Sequence, residues 1–408
     1  MLEELKSFNR NTHLFLLSTS IYYLGAGIFF LVFNIYIVEG LHYSKYFLGL
    51  LLSASSFSSA LFALPAGIIG DRIGRKKCLL TGMTVIALSM ALLTHVTSQP
   101  VLVAANGLLG FGNTMAYVSF APFMMENTSP RERVHLFSVN GALLTAGYTA
   151  GAYMGGELPS ILSLPYPEQL HSTLLIAVVF SVCAIFPLLW LTEKKKSSGG
   201  PLFSRQTIKS TSLMGKFLFN QIIVGVGAGL IVPFFNIFFV TQFDLSMNLV
   251  GVIFALGNIA TGIATFLAAS VASRFGKVRS IVTTQVLSLP FLLMIAYSNR
   301  IPLAATGFIA RSALMNMGGP IASAFMMETV QEEERATING IVSAGWHGSW
   351  AMSNIIAGAL MDRGFYHVPF LITCCLYGIS SGLYYHFFAS LDTPEGPIRV
   401  QHPLSKKF

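Results

Sequence analysis

The tetrapeptide Phe123-Met124-Met125-Glu126 returns unchanged as Phe325-Met326-Met327-Glu328, 202 residues further along the chain. The same offset, without a gap, brings Gly25 and Gly27 onto Gly227 and Gly229, and Phe33-Asn34-Ile35 onto Phe235-Asn236-Ile237. It also brings Gly49 onto Gly251, Arg72 and Gly74 onto Arg274 and Gly276, Glu132 and Arg133 onto Glu334 and Arg335, and Gly156 onto Gly358. Chance agreement would not hold one offset over so long a stretch. The chain is a duplication, with its two copies in the same orientation, which in a membrane protein is a parallel repeat.

The composition says what is duplicated. Of 408 residues 53% are hydrophobic and only 10% are charged, against about 25% charged in soluble domains. The apolar residues fall in long runs, and about 20 of them carry a helix across the hydrocarbon core. Such runs cover approximately 12–38, 46–70, 78–97, 100–126, 134–157, 170–191, 213–240, 247–273, 280–298, 301–328, 336–361 and 366–390. The expected fold is therefore an all-α integral membrane protein. It has twelve transmembrane helices in two pseudo-symmetric six-helix bundles, with both termini cytoplasmic.

The longest polar interval carries Glu193-Lys194-Lys195-Lys196-Ser197-Ser198-Gly199-Gly200-Pro201. That mixture of charge, Gly, Ser and Pro buries no apolar surface. The expected division is an N-terminal bundle over 1–192, a cytoplasmic linker over 193–212, a C-terminal bundle over 213–391 and a cytoplasmic tail over 392–408. The net charge of +8 is explained by topology rather than by nucleic acid. With the N-terminus inside, all of the 25 Lys and Arg residues except Lys45, Arg300, Arg311 and Arg363 lie in or beside inward-facing segments, which is the positive-inside bias. The four cysteines, Cys78, Cys183, Cys374 and Cys375, have no metal-ligand spacing. No metal site, catalytic residue or cofactor is expected.

Between the second and third spans stands Gly70-Asp71-Arg72-Ile73-Gly74-Arg75-Lys76-Lys77. A positive-inside loop needs the bases but neither the acid nor the two glycines. This octet resembles the signature loop of the major facilitator superfamily, and Arg274-Phe275-Gly276-Lys277 echoes it in the second copy. The resemblance covers the whole chain. It implies alternating access by two rocking bundles around a cavity lined mainly by helices 1, 4, 7 and 10. It also implies that Asp71 and Arg75 belong to a charge cluster that latches the cytoplasmic side in the outward-open state. Gly70, Arg72 and Gly74 shape that loop, and Glu126 at the end of helix 4 and Arg133 at the start of helix 5 are placed to join the cluster. Ser273 stands where the second copy would need its acid, so that latch should be weaker.

Helix 5 spaces Gly147, Gly151 and Gly155 by four residues, which lets helices approach closely. It resembles the glycine-rich helix 5 of family antiporters, except that Ala152 stands where proline is usual. Close packing alone explains the pattern equally well. Helix 4 carries Asn106 where proton-coupled exporters of the family usually carry arginine. None of the 17 acids lies deep in a span, although proton relays generally use intramembrane Asp, Glu or His. Coupling would then fall to His347, to Glu126 or Glu328, to the substrate's own proton, or to nothing.

Two ionisable residues do lie deep. Arg311 stands roughly 15 Å from the outer edge and His347 roughly 16 Å from the inner edge, at 1.5 Å per residue. With no deep acid to pair with, Arg311 is expected to face the cavity and hold an anionic group of the substrate. The alternatives are an arginine bonded to carbonyls and one that snorkels outward from a differently set span. His347 shares a helix face with Ser343, Trp350 and Asn354. Asn113 and Tyr117 on helix 4 complete the expected substrate-binding set with Arg311, His347 and Trp350. Asn34 and Asn236, equivalent in the repeat, are expected to bond across an outer gate. The aromatic residues Phe29, Phe30, Phe234 and Phe235 are expected mostly to face lipid or core.

The expected function is secondary transport of a small organic solute across a cell inner or plasma membrane, with efflux of an amphipathic compound as the leading reading. Its alternatives are an organic-anion carrier built on Arg311 and an uncoupled facilitator. The expected partners are the small-molecule substrate, the lipid bilayer and a candidate coupling proton, with no nucleic acid and a monomeric state. An ATP-driven pump would need a phosphate-binding loop, which Gly215-Lys216 and Gly276-Lys277 do not supply. A channel would need a charged ring or filter, and an intramembrane enzyme a catalytic set at depth. A non-transporting receptor on this scaffold stays open.

Overall fold

The computed structural model describes residues 8–192, 210–331 and 334–392. Twelve helices follow one another. The first six are α1 (Arg10–Ile35, drawn out by a π-helical turn at Tyr36–Gly40), α2 (Lys45–Ile73), α3 (Arg75–His95), α4 (Gln99–Glu126), α5 (Pro130–Leu162) and α6 (Glu168–Cys183, continued by Ile185–Leu189). The second six are α7 (Thr211–Ile231, then Val232–Phe234 and Phe235–Phe243), α8 (Met247–Phe275), α9 (Lys277–Tyr297), α10 (Ile301–Thr329), α11 (Arg335–Asp362) and α12 (His367–Phe388). Among the described residues, 9 helices are long and apolar enough to cross a membrane on composition alone. The other three, α5, α10 and α11, are as long but lower in mean hydropathy.

Local chemistry sets the helix ends. Asn9 caps α1 by accepting from the Thr12 N–H at 2.9 Å, and the Ser44 hydroxyl caps α2 by accepting from the Phe47 N–H at 3.1 Å. The turns from α2 to α3 and from α8 to α9 each pivot on one residue, Gly74 at φ 93° and Gly276 at φ 87°. Those angles suit glycine alone, and the two positions are equivalent in the repeat. The span expected to run unbroken over 213–240 is interrupted at Val232–Phe234, because Pro233 has no N–H to give to the helix ladder. Pro187 interrupts α6 in the same way.

The packing repeats as the sequence does. Within the first bundle α1 lies on α5 and α6, α2 and α3 on α4, and α3 on α6; α7 lies on α11 and α12, α8 and α9 on α10, and α9 on α12 in the second. Two seams join the bundles, α2 against α11 and α5 against α8, and the repeat operation exchanges them. Of the four phenylalanines singled out above, Phe29, Phe234 and Phe235 are buried, whereas Phe30 is 46% exposed and lines the central cavity.

Because the helices alternate in direction, both described chain ends lie at one end of the molecule, here the terminal end. Most of the expected linker and all but the first residue of the expected tail fall outside the described residues.

Candidate functional site: the central cavity

A cavity of about 920 Å³ lies between the bundles. Its walls come from α1, α2, α3, α4 and α5 on one side and from α11 on the other. On α2, α4 and α11 the lining runs from mid-helix towards the terminal end, reaching Ile68, Pro122 and Thr337. At the far end the bundles are drawn together. Asn34 donates through Nδ2 to the Pro233 carbonyl at 2.6 Å and to Asn236 Oδ1 at 3.3 Å. Asn236 donates in return to the Leu31 carbonyl at 2.8 Å. On the seams the Asp362 carboxylate accepts from the Lys45 N–H at 3.0 Å, Ser160 bonds Asn248 at 2.7 Å, and Asn248 donates to Glu157 at 3.1 Å. The cavity is therefore closed at the far end and extends towards the terminal end.

One wall is aromatic. Tyr23 and Tyr148 have ring centroids 5.7 Å apart, Tyr22 and Tyr23 5.6 Å, and Phe30 and Tyr148 6.5 Å. Tyr22 donates its hydroxyl to Asn113 Oδ1 at 2.7 Å, so the Asn113 amide hydrogens remain for the cavity. Tyr117 is 74% exposed into it. The opposite wall is a polar stripe on α11. Asn339, Ser343 and His347, four residues apart, share one face and all line the cavity. No Asp, Glu, Lys or Arg belongs to the described lining.

Of the five residues expected to bind substrate, Asn113, Tyr117 and His347 line the cavity. Arg311 does not, which corrects the expectation that it faces the cavity. It is 4% exposed, lies inside the second bundle, donates through Nη2 to the Tyr377 hydroxyl at 3.1 Å and sits 5.5 Å from the Phe235 ring centroid. A cation–π contact and a neutral hydroxyl hold the charge, and no carboxylate among the described residues pairs with it. Trp350 is likewise absent from the lining. Its backbone packs on Gly229 of α7 and its ring lies 5.6 Å from that of Trp346. By that point α11 has turned from the cavity to the seam, where Asn354 donates to Ser56 at 3.5 Å. Tyr22, Tyr23, Tyr148, Ser59, Thr337 and Asn339 are lining residues that the sequence reading did not single out. The four-residue spacing of Asn339, Ser343 and His347 was the available signal for one of them.

At the terminal end Arg75 Nε pairs with Glu126 Oε1 at 3.4 Å, and Lys277 pairs with Glu328. Both pairs lie within their own bundle and are exact counterparts in the repeat. Arg133 donates to the Met125 carbonyl at 3.4 Å, so it meets the backbone just before Glu126. Arg72 is exposed. A Cβ on Gly70 would come within 3.1 Å of Arg75 Nη1. The side chain of Asp71 lies outside the described residues. Ser273 donates to the Ser270 carbonyl at 3.0 Å within its own helix. The helix 5 glycines seat α5 on α1: Gly147 against Tyr23, Gly151 against Gly27 and Gly155 against Ile28.

Comparison with known proteins agrees with this architecture. The Major Facilitator Superfamily model matches residues 15–221 and 217–406, and the chain belongs to that family, whose members are transporters. "Multidrug resistance protein MdtG" of Enterobacter lignolyticus is 26% identical over 263 residues, covering 61% of this chain and 60% of that protein. "Multidrug efflux pump LfrA" of Mycolicibacterium smegmatis is 23% identical over 354 residues, covering 73% and 69%. The match to the "Uncharacterized MFS-type transporter YdeE" of Escherichia coli spans 44% of that relative, so the aligned part is about half to two thirds of these proteins. Among solved structures, the nucleoside transporter NupG superposes with a TM-score of 0.74 at 14% identity, covering 93% of this chain and 98% of NupG. The human organic anion transporter MFSD10 (TETRAN) gives 0.66 at 17% identity, covering 92% and 99%. These likenesses establish the fold and a multi-pass membrane protein.

Proposed function

We propose that this chain is a secondary transporter that carries a small amphipathic organic solute through the central cavity by alternating access, and that it works in the direction of export. The supporting observation is the cavity itself, sealed at the far end by the Asn34–Asn236 contacts and extending towards the terminal end. The positive-inside bias assigns the terminal end to the cytoplasm, so the solute is loaded from within. The multidrug resistance and efflux in the names of MdtG and LfrA support export, and their bacterial sources support a bacterial-type inner membrane for this chain. The described lining of the cavity comes from one chain, so a monomer is sufficient for transport.

Steady-state accumulation of labelled chloramphenicol in a bacterial strain stripped of its major pumps tests this reading. Expression of the wild type is expected to lower accumulation relative to an empty vector. Raised accumulation reverses the direction, and equal accumulation with correctly inserted protein overturns the reading for amphipathic compounds.

A further inference from the structure

We propose that the cavity selects uncharged solutes that combine a flat ring with hydrogen-bonding groups, at least one of them a carbonyl-type acceptor. The inference rests on the transport reading above and specifies its substrate class.

Charge is the first argument. An ion brought into this cavity leaves its hydration shell, and no Asp, Glu, Lys or Arg of the described lining replaces it. The deep cation that could have served an anion, Arg311, is turned into the second bundle against Tyr377 and Phe235. An uncharged solute avoids that dehydration cost.

Shape and hydrogen bonding supply the second argument. The rings of Tyr22, Tyr23, Tyr148 and Phe30 form a continuous aromatic wall, which favours a planar partner in offset contact. Asn113 accepts from the Tyr22 hydroxyl through Oδ1, which fixes the orientation of its amide and leaves the Nδ2 hydrogens to the solute, and such a donor selects a carbonyl or similar acceptor. Across the cavity Asn339, Ser343 and His347 offer both donors and acceptors along one stripe. A site built to hydrogen-bond a solute discriminates strongly against analogues lacking the matching group, because its own polar atoms would be left unpaired.

The test compares three ring-bearing probes on the purified wild type in nanodiscs: chloramphenicol (uncharged, with an amide and hydroxyls), tetraphenylphosphonium (a cation) and p-aminohippurate (an anion). Thermal unfolding reads binding, since a ligand of the folded state raises its apparent stability. Chloramphenicol is expected to bind at least tenfold more tightly than either ion. Asn113→Asp, which places a carboxylate in the cavity, is expected to lose that preference and gain tetraphenylphosphonium binding. Asn113→Leu is expected to weaken chloramphenicol at least tenfold without that gain. Binding of either ion as tight as that of chloramphenicol, or no response to chloramphenicol, overturns the proposal. Counterflow in proteoliposomes separates the two levels of the argument. If only an ionic probe is carried, the substrate class falls and the carrier remains. If chloramphenicol binds but no probe that binds is exchanged, the carrier reading falls.

Discussion

Gly156 of α5 faces Gly251 of α8 across a seam, so closely that a Cβ on Gly156 would come within 2.8 Å of the Gly251 Cα and 2.7 Å of the Met247 carbonyl oxygen. The repeat operation turns this pair into Gly358 and Gly49, where a Cβ on Gly358 would come within 3.2 Å of the Gly49 Cα. Two glycine crossings, one on each seam, therefore let the far end close backbone to backbone. Backbone cannot retreat as a flexible side chain can, so a larger residue at either crossing should hold the far end apart. Gly156→Leu and Gly358→Leu are each expected to speed labelling of Leu31→Cys by a membrane-impermeant maleimide from outside at least tenfold. An unchanged rate in well-folded variants would remove the crossings from the closure.

The asparagine contacts add directional bonds to that closure. Asn34 and Asn236 bond to each other and to Pro233 and Leu31 of the opposite bundle. Polar contacts between membrane helices are worth roughly 0.6 to 1.7 kcal/mol. A double-mutant cycle of Asn34→Ala and Asn236→Ala, read on the labelling equilibrium of the same cysteine, is expected to give a coupling energy of that size. Strictly additive variants would show two independent contacts instead of one latch.

The duplication, the twelve spans and their order were legible because apolar run length and residue identity are properties of the chain itself. The pairing of Gly49 with Gly358 was not, although all four seam glycines stand in matched rows of the repeat. The offset relates equivalent positions, and what touches across a seam is set by how the bundles dock. The depth of Arg311 could likewise be read by counting residues, but its azimuth could not. Lipid and protein core are both apolar, so a spanning helix shows little periodic contrast to reveal which side faces the cavity. Trp350 shares a face with Ser343 and His347 on an ideal helix, yet α11 crosses from cavity to seam before reaching it.

Burial of Arg311 without an acid gives a prediction about stability. Its guanidinium has the Tyr377 hydroxyl and the Phe235 ring, and its Nε has no hydrogen-bond partner. Removing the hydroxyl strands a buried charge, whereas replacing the charge with an apolar side chain of similar length does not. Tyr377→Phe is expected to destabilise by about 1.5–3 kcal/mol, the range for a hydrogen bond to a charged group. Arg311→Met is expected to cost less, and to leave chloramphenicol affinity within about threefold. Thermal unfolding with and without ligand checks both. A selective loss of ligand response in Arg311→Met would return this residue to the binding site.

At the terminal end, ahead of the apolar part of α5, the Glu132 carboxylate accepts from the Ser129 N–H at 2.9 Å and from its hydroxyl at 2.7 Å. The backbone bond, then the hydroxyl bond, hold its pKa below the usual 4.5. The stabilisation is therefore complete above the unfolded-state pKa and disappears as pH falls through the lower folded-state value. Glu132→Gln is expected to melt below the wild type at neutral pH, and the gap to close in acid. A gap that does not change with pH would mean that the charge contributes nothing to this helix start.

His347 offers the sharpest test of coupling. A proton-driven carrier needs a group that takes up and releases a proton while facing the solute path. Within the described lining, His347 is the residue among Asp, Glu, Lys, Arg and His that does so. An imidazole can take up a proton on one ring nitrogen and release it again. In proteoliposomes a pH gradient is expected to accelerate solute flux through the wild type. His347→Gln is expected to keep counterflow of the same solute and lose the acceleration. If the variant still responds to the gradient, coupling belongs to Glu126 or Glu328 at the terminal end. If the wild type never responds, the protein is an uncoupled facilitator and His347 serves the cavity only as a hydrogen-bonding wall.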